Sequence, residues 1–212
     1  MGLGLDMARC HQTENRSHQS DNNCLSHQTN NEKRRIILHS HSYEMTTLYL
    51  VRHGETIDNV RQIMQGQTQG ELTERGRAQA EQLAEQLADK PIDAFVSSDL
   101  KRAFDTCAVI AARHGMTPTT TPLLRERDWG DFTGRFIPDL KDEPWPPNVE
   151  TMGQLKDRAR RFLDLMRRQY PGKTVVAVGH GITNKAIQSV FYDKPMHEIE
   201  RMSNGEQRIL KI

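Results

Sequence analysis

Two short segments of the chain carry the residue types of phosphate chemistry. Arg52-His53-Gly54 follows the apolar run Thr47 to Val51, and Gly179-His180-Gly181 follows the run Thr174 to Val178. A lone histidine after a strand most often hydrogen-bonds a loop, but here each has informative neighbours. Arg52 adds a planar, permanently charged guanidinium suited to bidentate phosphate binding. Gly54 and Gly181 allow close backbone approach, and the N–H groups at such a glycine can help to cradle an anion. Arg102 falls near the start of a helical pattern, where the helix N-terminus also favours anions. Together these residues point to an anion such as phosphate held beside two histidines at two strand ends.

The elements that must position them follow from periodicity. Residues 47–51 read as a short β-rich strand ending at Arg52. After a loop through Gly66 and Gly70, residues 72–90 read as a helix with Thr73 as its N-cap and Ala80, Leu83, Ala84 and Leu87 on one face. A strand at 92–98, a helix at 100–115 closed by Gly115 and a helix at 151–170 stopped by Pro171-Gly172 come next. The buried strand 174–181, a helix at 182–192 and a last strand within 205–212 complete the series. Alternating strands and helices predict an α/β fold, a three-layer α/β/α sandwich with a mostly parallel central sheet. Ligands of such sheets bind at the carboxyl ends of strands, which directs attention to Arg52-His53-Gly54, Ser97-Ser98-Asp99 and Gly179-His180-Gly181.

Residues 1–44 differ from the rest. They are rich in Ser, Asn, Gln and His and hold five of the nine histidines, with His39-Ser40-His41 the best metal-like fragment. No acidic or cysteine partners stand at ligand spacing, so the segment reads as a disordered extension, of upstream-start or vector origin, ahead of a catalytic domain over 45–212 with Met45 as its start. The 212 residues carry a net charge of +1, which argues against nucleic-acid and membrane partners. No run approaches the roughly 20 apolar residues of a spanning helix. Three cysteines without metal spacing, Cys10, Cys24 and Cys107, suit a reducing, cytoplasmic setting. The Lys and Arg of 151–170 read as a solvated face, and Trp129, Phe132 and Trp145 as packing or pocket wall.

Five segments, "LVRHGETIDN", "GQTQGELTERG", "SSDLKRAFDT", "LLRERDWGDFTG" and "VVAVGHG", stand in order over residues 46–212. With them the chain resembles the histidine phosphatase superfamily, also called the phosphoglycerate mutase-like family. The resemblance implies His53 as a nucleophile forming a phosphohistidine, with Arg52, Arg102 and His180 as the phosphate pocket. It implies substrate contacts from Asn59, Gln65 and Gly181, and Glu126 as the acid that protonates the leaving oxygen and later activates water. Glu55 and Asp128 are not separated from Glu126 by spacing alone. His53 must be neutral, and flanking cations favour that state. Glu126 must hold a proton near neutrality, which burial or bound phosphate favours.

The resemblance requires neither cofactor nor metal. Within the family, phosphatases and mutases share the nucleophile. The segment "RFIPDLKDEPWPPNVE" is a short insert, acidic on balance, with Trp145 as the pocket candidate, whereas a mutase calls for a long basic cap. The expectation is a phosphomonoesterase for small phosphorylated metabolites, with a 2,3-bisphosphoglycerate-dependent mutase and a non-catalytic phospholigand-binding protein as alternatives. The oligomeric state, monomer or homodimer, is left open. Asp58, in place of the aromatic residue often found there, and Asn148-Val149-Glu150-Thr151, without the usual glycine, depart from the family pattern and make any particular substrate unsafe to carry over.

Overall fold

The computed structural model describes residues 44–212, so the expectations for the preceding segment and for Cys10 and Cys24 lie outside the described residues. The elements, in chain order, are β1 (Thr47–Arg52), α1 (Ile57–Val60), α2 (Glu74–Leu87), β2 (Ala94–Ser97), α3 (Lys101–Ala112), β3 (Thr119–Thr120), α4 (Met152–Gln169), β4 (Thr174–Gly179), α5 (Gly181–Phe191) and β5 (Gln207–Lys211). Four short 3₁₀ turns lie between them, three of these in the stretch 122–140.

The sheet order is β3-β2-β4-β1-β5, parallel throughout except for β5, which runs antiparallel to β1. β4 is buried on both faces. Val175 and Ala177 meet Leu155, Phe162, Leu163 and Ile187 of α4 and α5 on one side. On the other, Val176 and Val178 meet Leu83, Leu87, Cys107 and Ile110 of α2 and α3. This period-two alternation inside a continuous apolar run makes a three-layer sandwich. Thr73 caps α2 as expected, accepting from Gly76 N–H at 2.9 Å, and Ala80, Leu83, Ala84 and Leu87 are buried.

Sheet order matters most for the site. With β4 between β2 and β1, the three strand ends singled out in the sequence become neighbours. His53 N–H donates to Gly179 O at 3.1 Å and Ser98 N–H to Val178 O at 2.9 Å, fixing their heights. Gly54 is required for a different approach than the expected one. A Cβ there would meet Gly76 O of α2 at 2.3 Å, and its N–H donates to Thr106 Oγ1 at 3.1 Å. The glycine therefore lets the turn after β1 pack against the start of α2, and its N–H is not available to cradle an anion.

Candidate active site

At the carboxyl edge of β4 and β1 lies a cavity of about 210 Å³. Arg52, His53, Asn59, Gln65, Arg102 and Glu126 all border it. The geometry thus brings together six of the predicted site residues from segments up to 74 positions apart (52 to 126). His180 does not border the cavity; it is fully buried, with its ring centroid 5.0 Å from that of His53. Gly181 begins α5 beside Arg52: a Cβ on it would lie 3.4 Å from Arg52 Nε.

The two histidines are held differently. His53 Nδ1 lies 2.7 Å from Gly54 O, which fixes Nδ1 as the protonated nitrogen and leaves Nε2 with its lone pair. His180 has no hydrogen-bond partner among the described residues at either ring nitrogen. Burial, then Arg102 and Arg52, push His53 well below the ordinary histidine range. Burial, then Arg102 and His53, do the same to His180. Both rings are neutral at pH 7.

The arginines are anchored by carbonyls rather than by carboxylates. Arg52 Nη1 donates to Met202 O at 2.7 Å, and its Nε is buried without a partner. Arg102 Nη2 donates to Gly66 O at 2.8 Å and Nη1 to Thr68 O, again with Nε buried and unpartnered. Gly70, at φ +66°, makes this possible, because a side chain there would collide with Gln65 Oε1 and Arg102 Cδ. Burial lowers both guanidiniums to about 10, which still leaves them charged at neutral pH. Two desolvated cations with free Nε–H donors make an anion site.

Glu126 is buried at the N-terminus of α5. Its Oε1 accepts from Arg127 N–H (2.8 Å) and Thr183 N–H (3.1 Å), and Oε2 accepts from Ile182 N–H (3.2 Å), while the Thr183 hydroxyl donates to Arg125 O at 2.7 Å. Glu55 instead accepts from Thr73 Oγ1 and Arg75 on the far side of the turn, and Asp128 Oδ1 accepts from Gly130 N–H; neither borders the cavity.

Three readings need correction. Ser97-Ser98-Asp99 does not line the cavity; Asp99 clamps Arg125 through Nε (2.8 Å) and Nη2, next to Glu126. Arg158 departs from the solvated face assigned to its helix. It pairs with Glu150 at 2.8 Å, both largely buried, and donates to the carbonyls of Leu123, Arg125 and Glu126. Trp129, not Trp145, walls the cavity; Trp145 is 59% exposed and packs with Trp129 against Arg127, whose Cζ lies 4.6 and 4.7 Å from the two rings.

Sequence reasoning missed Arg201 and Asn204. Arg201 borders the cavity, and Asn204 Nδ2 donates to His53 O (3.1 Å), Gly54 O (3.3 Å) and Asn59 Oδ1 (3.1 Å). They lie in an irregular stretch with no periodicity to mark them. Among the described residues no three His, Cys, Asp or Glu side chains are grouped as metal ligands, and no helix is long and apolar enough to cross a membrane.

Known proteins share this arrangement of elements. The mycobacterial glucosyl-3-phosphoglycerate phosphatase, solved with VO3, superposes with a TM-score of 0.72 at 30% identity, over 78% of this chain and 92% of that one. The Bacillus stearothermophilus protein YhfR gives 0.73 at 29%, over 79% and 91%. In sequence, the Yersinia pestis protein named probable phosphoglycerate mutase GpmB is 33% identical over 172 residues, 74% of this chain and 80% of the relative. The model of the histidine phosphatase superfamily, branch 1, matches residues 48–212. With that match covering all five strands and both histidine-bearing strand ends, the chain belongs to the histidine phosphatase superfamily.

Proposed function

We propose that the protein is a phosphomonoesterase that works through a phosphohistidine at His53 and acts on small phosphorylated metabolites, with residues 45–212 as its catalytic domain. One observation carries the reading. His53 presents an unprotonated Nε2 into a cavity bordered by two desolvated guanidiniums, its other nitrogen fixed on Gly54 O. A neutral nucleophile facing an anion site is what attack on a phosphate ester needs.

In this mechanism the free Nε–H groups of Arg52 and Arg102 bind phosphate oxygens, and His180, neutral and otherwise unpartnered, donates to another. His53 Nε2 attacks phosphorus as the P–O ester bond breaks, and the leaving oxygen takes a proton from Glu126. Water then attacks the phosphohistidine, giving its proton to Glu126 and restoring His53. Glu126 borders the same cavity as His53, within the site for both proton transfers. Asn59 Nδ2 and the unpartnered Gln65 Oε1 supply further polar contacts, and Gly181 keeps the approach to Arg52 clear.

The likeness to the protein named phosphoglycerate mutase favours a second reading, a bisphosphoglycerate-dependent mutase. The insert argues for hydrolysis: from Arg135 to Glu150 it gives the cavity only Ile137, and no cation. A phosphate-release screen over phosphorylated metabolites, with and without EDTA and with His53→Ala as the blank, tests the proposal. Release by the wild type alone, unaffected by EDTA, is expected. Transfer between phosphoglycerates without release establishes the mutase instead, and activity lost to EDTA and restored by a divalent metal sinks the scheme.

A further inference from the structure

Arg52 and His53 stand at the end of β1 and Asn59 lies in α1, yet residues 202–206 touch all three. Arg52 donates from its side chain to Met202 O (2.7 Å) and from its N–H to Glu206 O (3.0 Å). Ser203 to Glu206 form a β-turn, closed by Glu206 N–H on Ser203 O at 3.1 Å, with Gly205 in third place at φ +72°. That conformation suits glycine, and it brings the Gly205 N–H onto Arg52 O (3.2 Å) and His53 O (3.3 Å). Asn204, in second place, is thereby carried to the turn that follows β1.

The groups around Asn204 fix the orientation of two side-chain amides. His53 O (3.1 Å) and Gly54 O (3.3 Å) can only accept, so the Asn204 atom that faces them is Nδ2. Gly54 O also takes the His53 Nδ1 proton, so Asn204 is registered against the same carbonyl that orients the His53 ring. On Asn59 the logic runs the other way. The backbone N–H of Thr56 can only donate, so the Asn59 atom 3.2 Å from it is Oδ1. The same oxygen accepts from Asn204 Nδ2 at 3.1 Å. Both lone pairs of Oδ1 are then engaged, and the Asn59 NH2 is left for the cavity that Asn59 borders. Turned over, the amide would set donor against donor at Thr56 and Asn204 and would present an oxygen to an anion.

We infer that Asn204 is a positioning residue, which locks the Asn59 amide with its NH2 toward the bound phosphoryl group and ties that donor to the turn that aims His53. The inference deepens the phosphomonoesterase reading and rests on it for the identity of the anion. Asn204 does not border the cavity, so it acts through Asn59. Without it, Asn59 is held only by Thr56, within a helix of four residues. Asn204 supplies the second bond from a side chain anchored on two backbone carbonyls.

The test is a double-mutant cycle of Asn204→Ala and Asn59→Ala. It is read as Kd for inorganic phosphate by calorimetry and as kcat/KM for p-nitrophenyl phosphate. Each single substitution is expected to weaken both by roughly 10-fold, mainly through KM, and the double variant to lose no more than about twofold beyond the worse single one. Losses that multiply mean that the two amides act independently, and they overturn the inference. In ¹H–¹⁵N spectra the Asn59 NH2 pair, identified by its disappearance in Asn59→Ala, should shift when phosphate saturates the wild type. It should shift markedly less at saturation in Asn204→Ala; an equal shift there overturns the inference, whatever the stability of the variant. Asn204→Ser, which keeps one donor, is expected to fall between wild type and Asn204→Ala, and it replaces Asn204→Ala in both measurements if that variant does not fold. A wild type that binds phosphate but releases none from esters loses the catalytic reading, while the Kd cycle and the spectra still decide the role of Asn204. A wild type that binds no phosphate overturns both.

Discussion

The ends of β1 and β4 look alike in sequence, each an apolar strand running into a histidine and then a glycine, but they do different things. After β1 the chain turns away through Gly54, whose carbonyl takes the His53 Nδ1 proton and aims Nε2 at the cavity. After β4 the chain enters α5 at once, and His180 is left with both nitrogens unpartnered below the first ring. One ring is oriented by its own neighbour, as the proposed nucleophile must be; the other has no partner among the described residues. The same dipeptide therefore yields two roles, separated by the backbone path that follows it.

That contrast can be broken at its strongest point. His53→Ala is expected to abolish turnover, whereas His180→Ala, which removes a donor and not the nucleophile, should lower kcat by about 10²- to 10³-fold and leave measurable release. Equal residual activity in the two variants would erase the distinction. Glu126→Gln comes next: it should slow esters with poor leaving groups by roughly 10²-fold, but p-nitrophenyl phosphate far less, because that leaving oxygen needs little protonation. Equal slowing of both would remove Glu126 from the acid role.

A third test concerns the scaffold around the acid. Arg158→Ala leaves Glu150 buried without its partner and frees three carbonyls of the 123–126 stretch. It should cost about 3–5 kcal/mol and lower the melting temperature by roughly 10 °C. A smaller pH effect distinguishes the histidines from ordinary ones. Both are held neutral, with folded values below the unfolded value of about 6.5, so the unfolded chain binds more protons below that pH. Stability should be level above about pH 6.5 and fall as pH drops, and His180→Asn should reduce that slope in denaturant titrations at a series of pH values. In the same window kcat/KM should show no histidine limb near 6.5. The smallest effect is expected from removing residues 1–44: activity and melting temperature should change little, since the deletion takes away the bond from Gly172 N–H to Glu44 O (2.8 Å) but keeps the pairing of Thr46 with Ile212 at the sheet end.

The floor of the site was far more legible than its rim. Arg52, His53, Arg102 and His180 sit at strand ends and in the first turn of a helix, positions that hydrophobic periodicity marks. Glu126 was reached only through its segment, because it lies in an irregular run between a 3₁₀ turn and a loop. Arg201 and Asn204 come from a stretch with no pattern and meet the site by tertiary packing alone. Trp145 was misplaced for a related reason: sequence shows an aromatic residue in an insert, but the direction of its ring depends on Arg127 and Trp129.

The amino-acid sequence by itself determined the alternation of strands and helices, the cap at Thr73, and which strand ends carry histidine. These follow from local periodicity and from which side chains can satisfy a helix terminus, and neither needs a distant partner. Only the tertiary structure decided that β4 lies between β1 and β2, that the ring of His53 is turned by Gly54 while that of His180 stays free, and that Arg201 leans over Gly181 toward Arg52. Those features depend on contacts between residues far apart in the chain, where burial removes water and leaves charges and hydrogen-bond donors to find one another.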